Sequence, residues 1–180
     1  MTSIDGGRVA TLLAAGDTAV SNAARGKAFE DLLTYLFELI PGISASVRNQ
    51  LDAFSSEEID IAFWNDGDPN GLRQFDQIIL VECKNWSKPV GAPEVTIFNA
   101  KLEARGRPLG ILVAASGITG DADDLSAAHQ ILFRALGQKR EILVVTRSEI
   151  EQLCDTDDLV RLLKRKKLQL AVSGTIYGVS

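Results

Sequence analysis

The longest regular pattern in the chain lies between Asn22 and Ile40, where Phe29, Leu32, Leu33, Leu36, Phe37 and Ile40 fall at offsets of 3, 4, 7, 8 and 11 from the first. This is one apolar stripe of a helix, and Pro41-Gly42 stops it. Before it, Asp5 to Ala15 reads as a shorter helix. After it, ISASVRNQ predicts a strand, Leu51 to Glu57 a loop, and EIDIAFW a second strand with Ile59, Ile61 and Phe63 on one face. NDGDPNG has turn composition. QIILVECKNW is continuously apolar in its first half, as in a central strand covered on both faces, and ends at Lys88-Pro89. A helix from Pro93 to near Gly106 turns Val95, Phe98 and Leu102 inward. LGILVAAS follows as a buried strand, then a helix from Asp121 through Leu136 closed by Gly137, then the buried strand EILVVT. Two short helices, Ser148 to Leu153 and Asp157 to Leu168, complete the pattern. The alternation of helix and strand from Gly91 onward predicts α/β layers and a largely parallel second half of the sheet.

A length of 180 residues fits one domain, and 46% hydrophobic with 24% charged residues is the composition of an ordinary folded chain. The net charge of −5 gives no general attraction for phosphate polymers, so any nucleic-acid binding must be local. Cys83 and Cys154 are too few and too far apart for a disulfide framework or a zinc knuckle, and they read as reduced thiols in a cytoplasm. No segment approaches the roughly 20 apolar residues of a membrane span, and the N-terminus lacks signal-peptide character. A soluble, cytoplasmic protein with no membrane partner is the expectation.

His129 is the only histidine. It reads as a helix-surface or capping residue, and its solitude excludes a histidine-ligated zinc enzyme or an HNH nuclease. No GxSxG turn, phosphate-binding GxxxxGK loop or GxGxxG is present. Chemistry is left to carboxylates, lysines and a hard cation. Residues two apart on a strand share a face, which puts Glu82 and Lys84 together at the end of an apolar central strand, where charge costs desolvation. If the second and third strands pair as a hairpin around NDGDPNG, Asp60 comes beside Glu82. Two carboxylates without histidine or cysteine ligands make an oxygen site for Mg²⁺ or Mn²⁺. A lysine beside them can touch a metal-bound water or a phosphate oxygen, a set suited to phosphodiester hydrolysis. By itself, ExK is also the ion pair of a solvated strand end.

The runs RGKAFEDLLTYLFELIPG, EIDIAF, IILVECKNWSKPVGAPEV and GILVAASGITGDA, in this order, resemble the PD-(D/E)xK nuclease superfamily, most closely its Mrr-like restriction endonuclease branch, over about Arg25 to Leu153. The resemblance implies an α/β restriction-endonuclease-like core, a mixed central sheet flanked by helices. It implies a Mg²⁺-dependent DNA endonuclease leaving 5′-phosphate ends, acting in restriction or defence against foreign DNA. It carries Glu30, Asp60, Glu82 and Lys84 into the active site, with Asp60, Glu82 and the backbone carbonyl of Cys83 as metal ligands. Ile59 stands where the eponymous proline would, and Glu82 where many Mrr-like members have Gln, a departure that favours metal binding. The alternative is a catalytically silent nuclease-fold module that binds nucleic acid or a partner protein.

Eight acids between Leu51 and Glu82 face one base, Arg73, whereas Lys84 to Arg107 holds five bases against Glu94 and Glu103. Lys88, Lys101 and Arg105 are therefore candidate DNA contacts, the last two as i,i+4 neighbours tracking a phosphate strand. Lys27 is either an ion-pair partner of Glu30 or a phosphate contact. Arg161, Lys164, Arg165, Lys166 and Lys167 form a basic block, either a solvated face or a contact to DNA or a partner. The expected organisation is an N-terminal helical extension over 1–24, the nuclease core over 25–153, and a basic helix and tail over 154–180. With no recognition domain of usual size, cutting two strands calls for a homodimer or for a recognition or ATPase subunit of a defence system.

Overall fold

The computed structural model describes residues 1–52, 58–120 and 126–176. Most of the loop expected over Leu51 to Glu57, and the helix start expected at Asp121, lie outside them. The chain runs α1 (Gly6–Asp17), α2 (Asn22–Glu38), β1 (Ile43–Leu51), β2 (Glu58–Asn65), β3 (Ile78–Lys84), α3 (Ala92–Ala104), β4 (Leu109–Ala114), α4 (Ala127–Gly137), β5 (Glu141–Val145), α5 (Arg147–Glu151) and α6 (Thr156–Ser173). The strands form one sheet in the order β1-β2-β3-β4-β5. The first three are antiparallel and the last three parallel, so the mixed sheet has its parallel half where helix and strand alternate. Among the described residues no helix is long and apolar enough to cross a membrane.

Two apolar layers sandwich this sheet. The α2 stripe packs Phe29, Leu32, Leu36 and Phe37 on Ile61, Phe63, Val81, Ile111 and Leu143, and Val9, Leu13, Leu159 and Leu163 of α1 and α6 join the same layer. Phe37 stacks on Phe63 with ring centroids 4.8 Å apart. On the opposite face Val95, Phe98 and Leu102 of α3 and Ala128 and Leu132 of α4 cover Leu80, Leu112, Ile142 and Val144. Cover on both sides explains why all six residues of β4 are buried and why β4 and β5 read as unbroken apolar runs.

Gly110 sets how closely α3 approaches. A Cβ there would lie 2.6 Å from Phe98 Cζ and 2.8 Å from Leu102 Cδ2, so the helix seats its apolar side chains directly on the β4 backbone. Gly110→Val is therefore expected to cost about 1–3 kcal/mol through overpacking, read as a lowered urea midpoint at unchanged slope.

Several sequence expectations change. Ile59 packs with Leu80 and Val90 on the α3 side, not with Ile61 and Phe63, because β2 leaves its regular pairing at this point. His129 is not a surface residue. It is 3% exposed beside Ala128 and Leu132, with Nδ1 3.3 Å from Ser126 Oγ, because the α4 stripe is broad enough to enclose its margin. The third strand stops at Lys84, before the expected Lys88-Pro89, and α6 runs to Ser173, where Gly174 caps it at φ 67°.

Candidate active site

The pairing of β2 with β3 runs from Trp64 opposite Ile78 to Ile61 opposite Val81. One step further in this register Asp60 faces Glu82, and here the two strands part. Asp60 Oδ2 accepts from the Cys83 amide at 2.7 Å, taking the donor that a continued ladder would have joined to the β2 backbone. A strand residue sends its N–H and C=O to the same edge, so the Cys83 carbonyl also faces the gap opened between β2 and β3. The Lys84 carbonyl points the other way and accepts from the Ala115 amide at 3.0 Å.

Glu82 is only 3% exposed, yet its carboxylate is held by two ammonium groups. Lys84 Nζ donates to Oε1 at 2.7 Å, and Lys101 Nζ donates to Oε2 at 2.7 Å and to Oε1 at 3.0 Å. A carboxylate has about four acceptor positions, so one remains, on Oε2. With Asp60 ionised, the four charges of Asp60, Glu82, Lys84 and Lys101 cancel.

Burial first, and then the charge of Glu82, raise the Asp60 pKa to about 6, against the Cys83 hydrogen bond and the two lysines. For Lys84, burial alone would pull the ammonium down, but Glu82 and Asp60 outweigh it and lift the pKa above the ordinary lysine value. Lys84 is therefore a fixed cation at neutral pH. Burial, followed by the charges of Asp60, Glu30 and Glu82, pushes the Cys83 thiol well up, so its sulfur stays protonated. The donors suit a hard divalent cation: two carboxylates and a carbonyl edge are a partial oxygen shell of the kind Mg²⁺ takes while keeping waters and substrate oxygens. Among the described residues no three His, Cys, Asp or Glu side chains converge.

Glu30 is tied to β1, and its charge is felt at Cys83. Its Oε2 accepts from Arg48 Nη2 at 2.9 Å and from Asn49 Nδ2 at 3.3 Å, while Arg48 also binds Asp31. Asn49, at φ 51°, lies between the pairs Arg48–Ile61 and Gln50–Ile59, hence opposite Asp60. Glu30 thus holds β1 through the residue opposite Asp60.

Beside Cys83 and Lys84 a groove of about 450 Å³ opens between the start of α2 and the β3–α3 connection, lined also by Asn22, Arg25, Asn85, Trp86 and Lys88. Lys88 is exposed on its wall, 6.0 Å from the Trp86 ring centre. Lys27 is exposed on α2 with Asp31 at 3.6 Å. Lys101 does not line up with Arg105 as an outward phosphate track. It is 8% exposed and turned onto Glu82, while Arg105 Nη1 donates back to the Lys101 carbonyl at 3.3 Å. Position 101 lies three residues after Phe98 on the buried face of α3, a spacing that already marks it in the sequence. Arg25 lines the groove too, and nothing in the sequence around it marks it before the groove is formed. Much of the C-terminal basic block is paired within the chain: Arg161 with Asp158 at 2.6 Å, Lys166 with Glu149 at 2.7 Å, and Lys167 with Glu141.

A family model for a restriction endonuclease catalytic region, of Mrr type, matches residues 21–163. Among solved structures, the small subunit (R.BspD6I2) of the heterodimeric restriction endonuclease R.BspD6I is similar over 97% of this chain and 82% of that one, at 14% sequence identity and a TM-score of 0.47. No curated protein matches the sequence.

Proposed function

Since this chain belongs to the Mrr-type restriction endonuclease family, we propose that it is a divalent-metal-dependent DNA endonuclease serving restriction or defence against foreign DNA. The observation that carries this reading is the parting of β2 from β3, which leaves Asp60, Glu82 and the carbonyl edge of Cys83 around one opening with Lys84 beside it. Asp60, Glu82 and that carbonyl would hold Mg²⁺ or Mn²⁺, which when bound polarises a phosphoryl oxygen and lowers the pKa of a water. Lys84 borders the groove and keeps its proton, so it offers positive charge to the phosphate or the attacking water and does not act as a base. Arg25 and Lys88 on the groove walls, with Lys27 nearby, would take neighbouring phosphates. Glu30, through Arg48 and Asn49, keeps β1 in register opposite Asp60. One such site cuts one strand, so a double-strand break calls for a second copy or another subunit.

The test is a cleavage assay on supercoiled plasmid, linear duplex, single-stranded DNA and RNA, in Mg²⁺, Mn²⁺ or EDTA, beside Lys84→Ala. Plasmid cleavage that needs Mg²⁺ or Mn²⁺ and disappears in the variant is the expected result. The ion pairs already made by Glu82 also favour a second reading, a nuclease-fold module that binds nucleic acid or a partner without cutting. DNA binding with no cleavage under every condition would select it.

A further inference from the structure

Lys101 is the one charged group of this cluster without a part in the reading above. We infer that Lys101 is a positioning residue that fixes the Glu82 carboxylate and, by neutralising the metal-free site, holds down its affinity for a free divalent cation. This inference rests on the nuclease reading.

The geometry separates the two lysines. Lys84 Nζ touches only Oε1 of Glu82, a single contact about which the carboxylate could still turn. Lys101 Nζ spans both oxygens, which sets the plane of the carboxylate and leaves one accepting position, on Oε2. Glu82 can then ligate a cation through one oxygen while its orientation is held. Lys84 borders the groove, whereas the Lys101 side chain is only 10% exposed and lies behind Glu82. It is placed there by the apolar stripe of α3 and by Gly110, which admits that helix close to the sheet. An ammonium in this position carries a desolvation cost that an apolar side chain would not.

Charge gives the direction of the effect. The ionised cluster sums to zero with Lys101 and to −1 without it. A divalent cation entering the neutral site gains less attraction than one entering the negative site, because the ammonium beside Glu82 repels it at short range through a low-dielectric medium.

The experiment is calorimetric titration of Mn²⁺ alone into metal-free wild type and Lys101→Met at pH 8 without DNA. The variant is expected to bind Mn²⁺ roughly tenfold more tightly, yet to cleave plasmid at saturating Mn²⁺ roughly tenfold or more slowly, since Glu82 is no longer held. Duplex affinity in EDTA should stay within about twofold of wild type, and Lys101→Arg should return Mn²⁺ affinity to the wild-type value. Should Lys101→Met not fold, Lys101→Gln removes the charge, keeps a donor for Glu82, and carries the same expectation for Mn²⁺. Equal or weaker Mn²⁺ binding in the neutral variant overturns the inference. So does a loss of duplex affinity in EDTA, which would make Lys101 a phosphate contact. If the wild type binds Mn²⁺ and cuts while Lys101→Met matches it in both, only the role of Lys101 falls. If the wild type does neither, the nuclease reading falls and takes this inference with it.

Discussion

Asp60→Asn is expected to abolish cleavage and, in the metal-free protein, to raise thermal stability above pH 6. The loss of activity follows from removing one of the two carboxylates at the opening between β2 and β3, at a cost of roughly 10²–10³-fold or more. The stability gain follows from the raised pKa of Asp60, about 6 against an ordinary 3.8. A carboxyl whose folded-state pKa is raised binds its proton more firmly in the folded chain. Stability from this group is therefore highest below about pH 4, falls as the pH rises towards 6, and stays reduced above that. The amide of Asn keeps an oxygen for the Cys83 N–H and removes the buried negative charge near Glu82. The gain at pH 7 should be on the order of 1–3 kcal/mol, or several degrees in Tm. Paired melting curves at pH 4, 5, 6 and 7 in EDTA measure it. A constant difference between variant and wild type across that range would mean that Asp60 does not titrate there.

Lys84→Met should reduce the cleavage rate by roughly 10²-fold or more while leaving duplex affinity in EDTA within about threefold. Methionine keeps most of the stem's volume and removes the ammonium, which Glu82 and Asp60 keep protonated and Glu82 Oε1 holds at 2.7 Å. A preorganised charge of this kind acts where the transition state gathers negative charge, and contributes little to binding a long duplex whose other phosphates have their own contacts. Single-turnover cleavage beside anisotropy binding separates the two. Equal losses in rate and affinity would make Lys84 a phosphate anchor, and no loss in either would make it a structural partner of Glu82.

The helices and strands were readable from the chain because burial repeats with the period of each element. The α2 stripe from Phe29 to Phe37, the unbroken runs of β4 and β5 and the helix–strand alternation after Gly91 each report a local relation between residue and core. The pair Glu82 and Lys84 was readable for the same reason, since two residues on one strand share a face whatever surrounds them. The turn NDGDPNG also made the β2–β3 hairpin, and with it the approach of Asp60 to Glu82, legible, but other relations between elements lay beyond reach. Ile59 leaves the face of Ile61 where the β2–β3 pairing ends and the Asp60 side chain takes the Cys83 amide. Glu30 is drawn to Arg48 and Asn49 by the way β1 lies against α2. Lys101 reads as one more base in a basic stretch, and becomes the second cation on Glu82 only because α3 seats on Gly110 with that face turned inward. Periodicity assigns a residue to a face of its own element. Which charges meet depends on the distance and register between elements, and these follow from packing contacts widely separated along the chain.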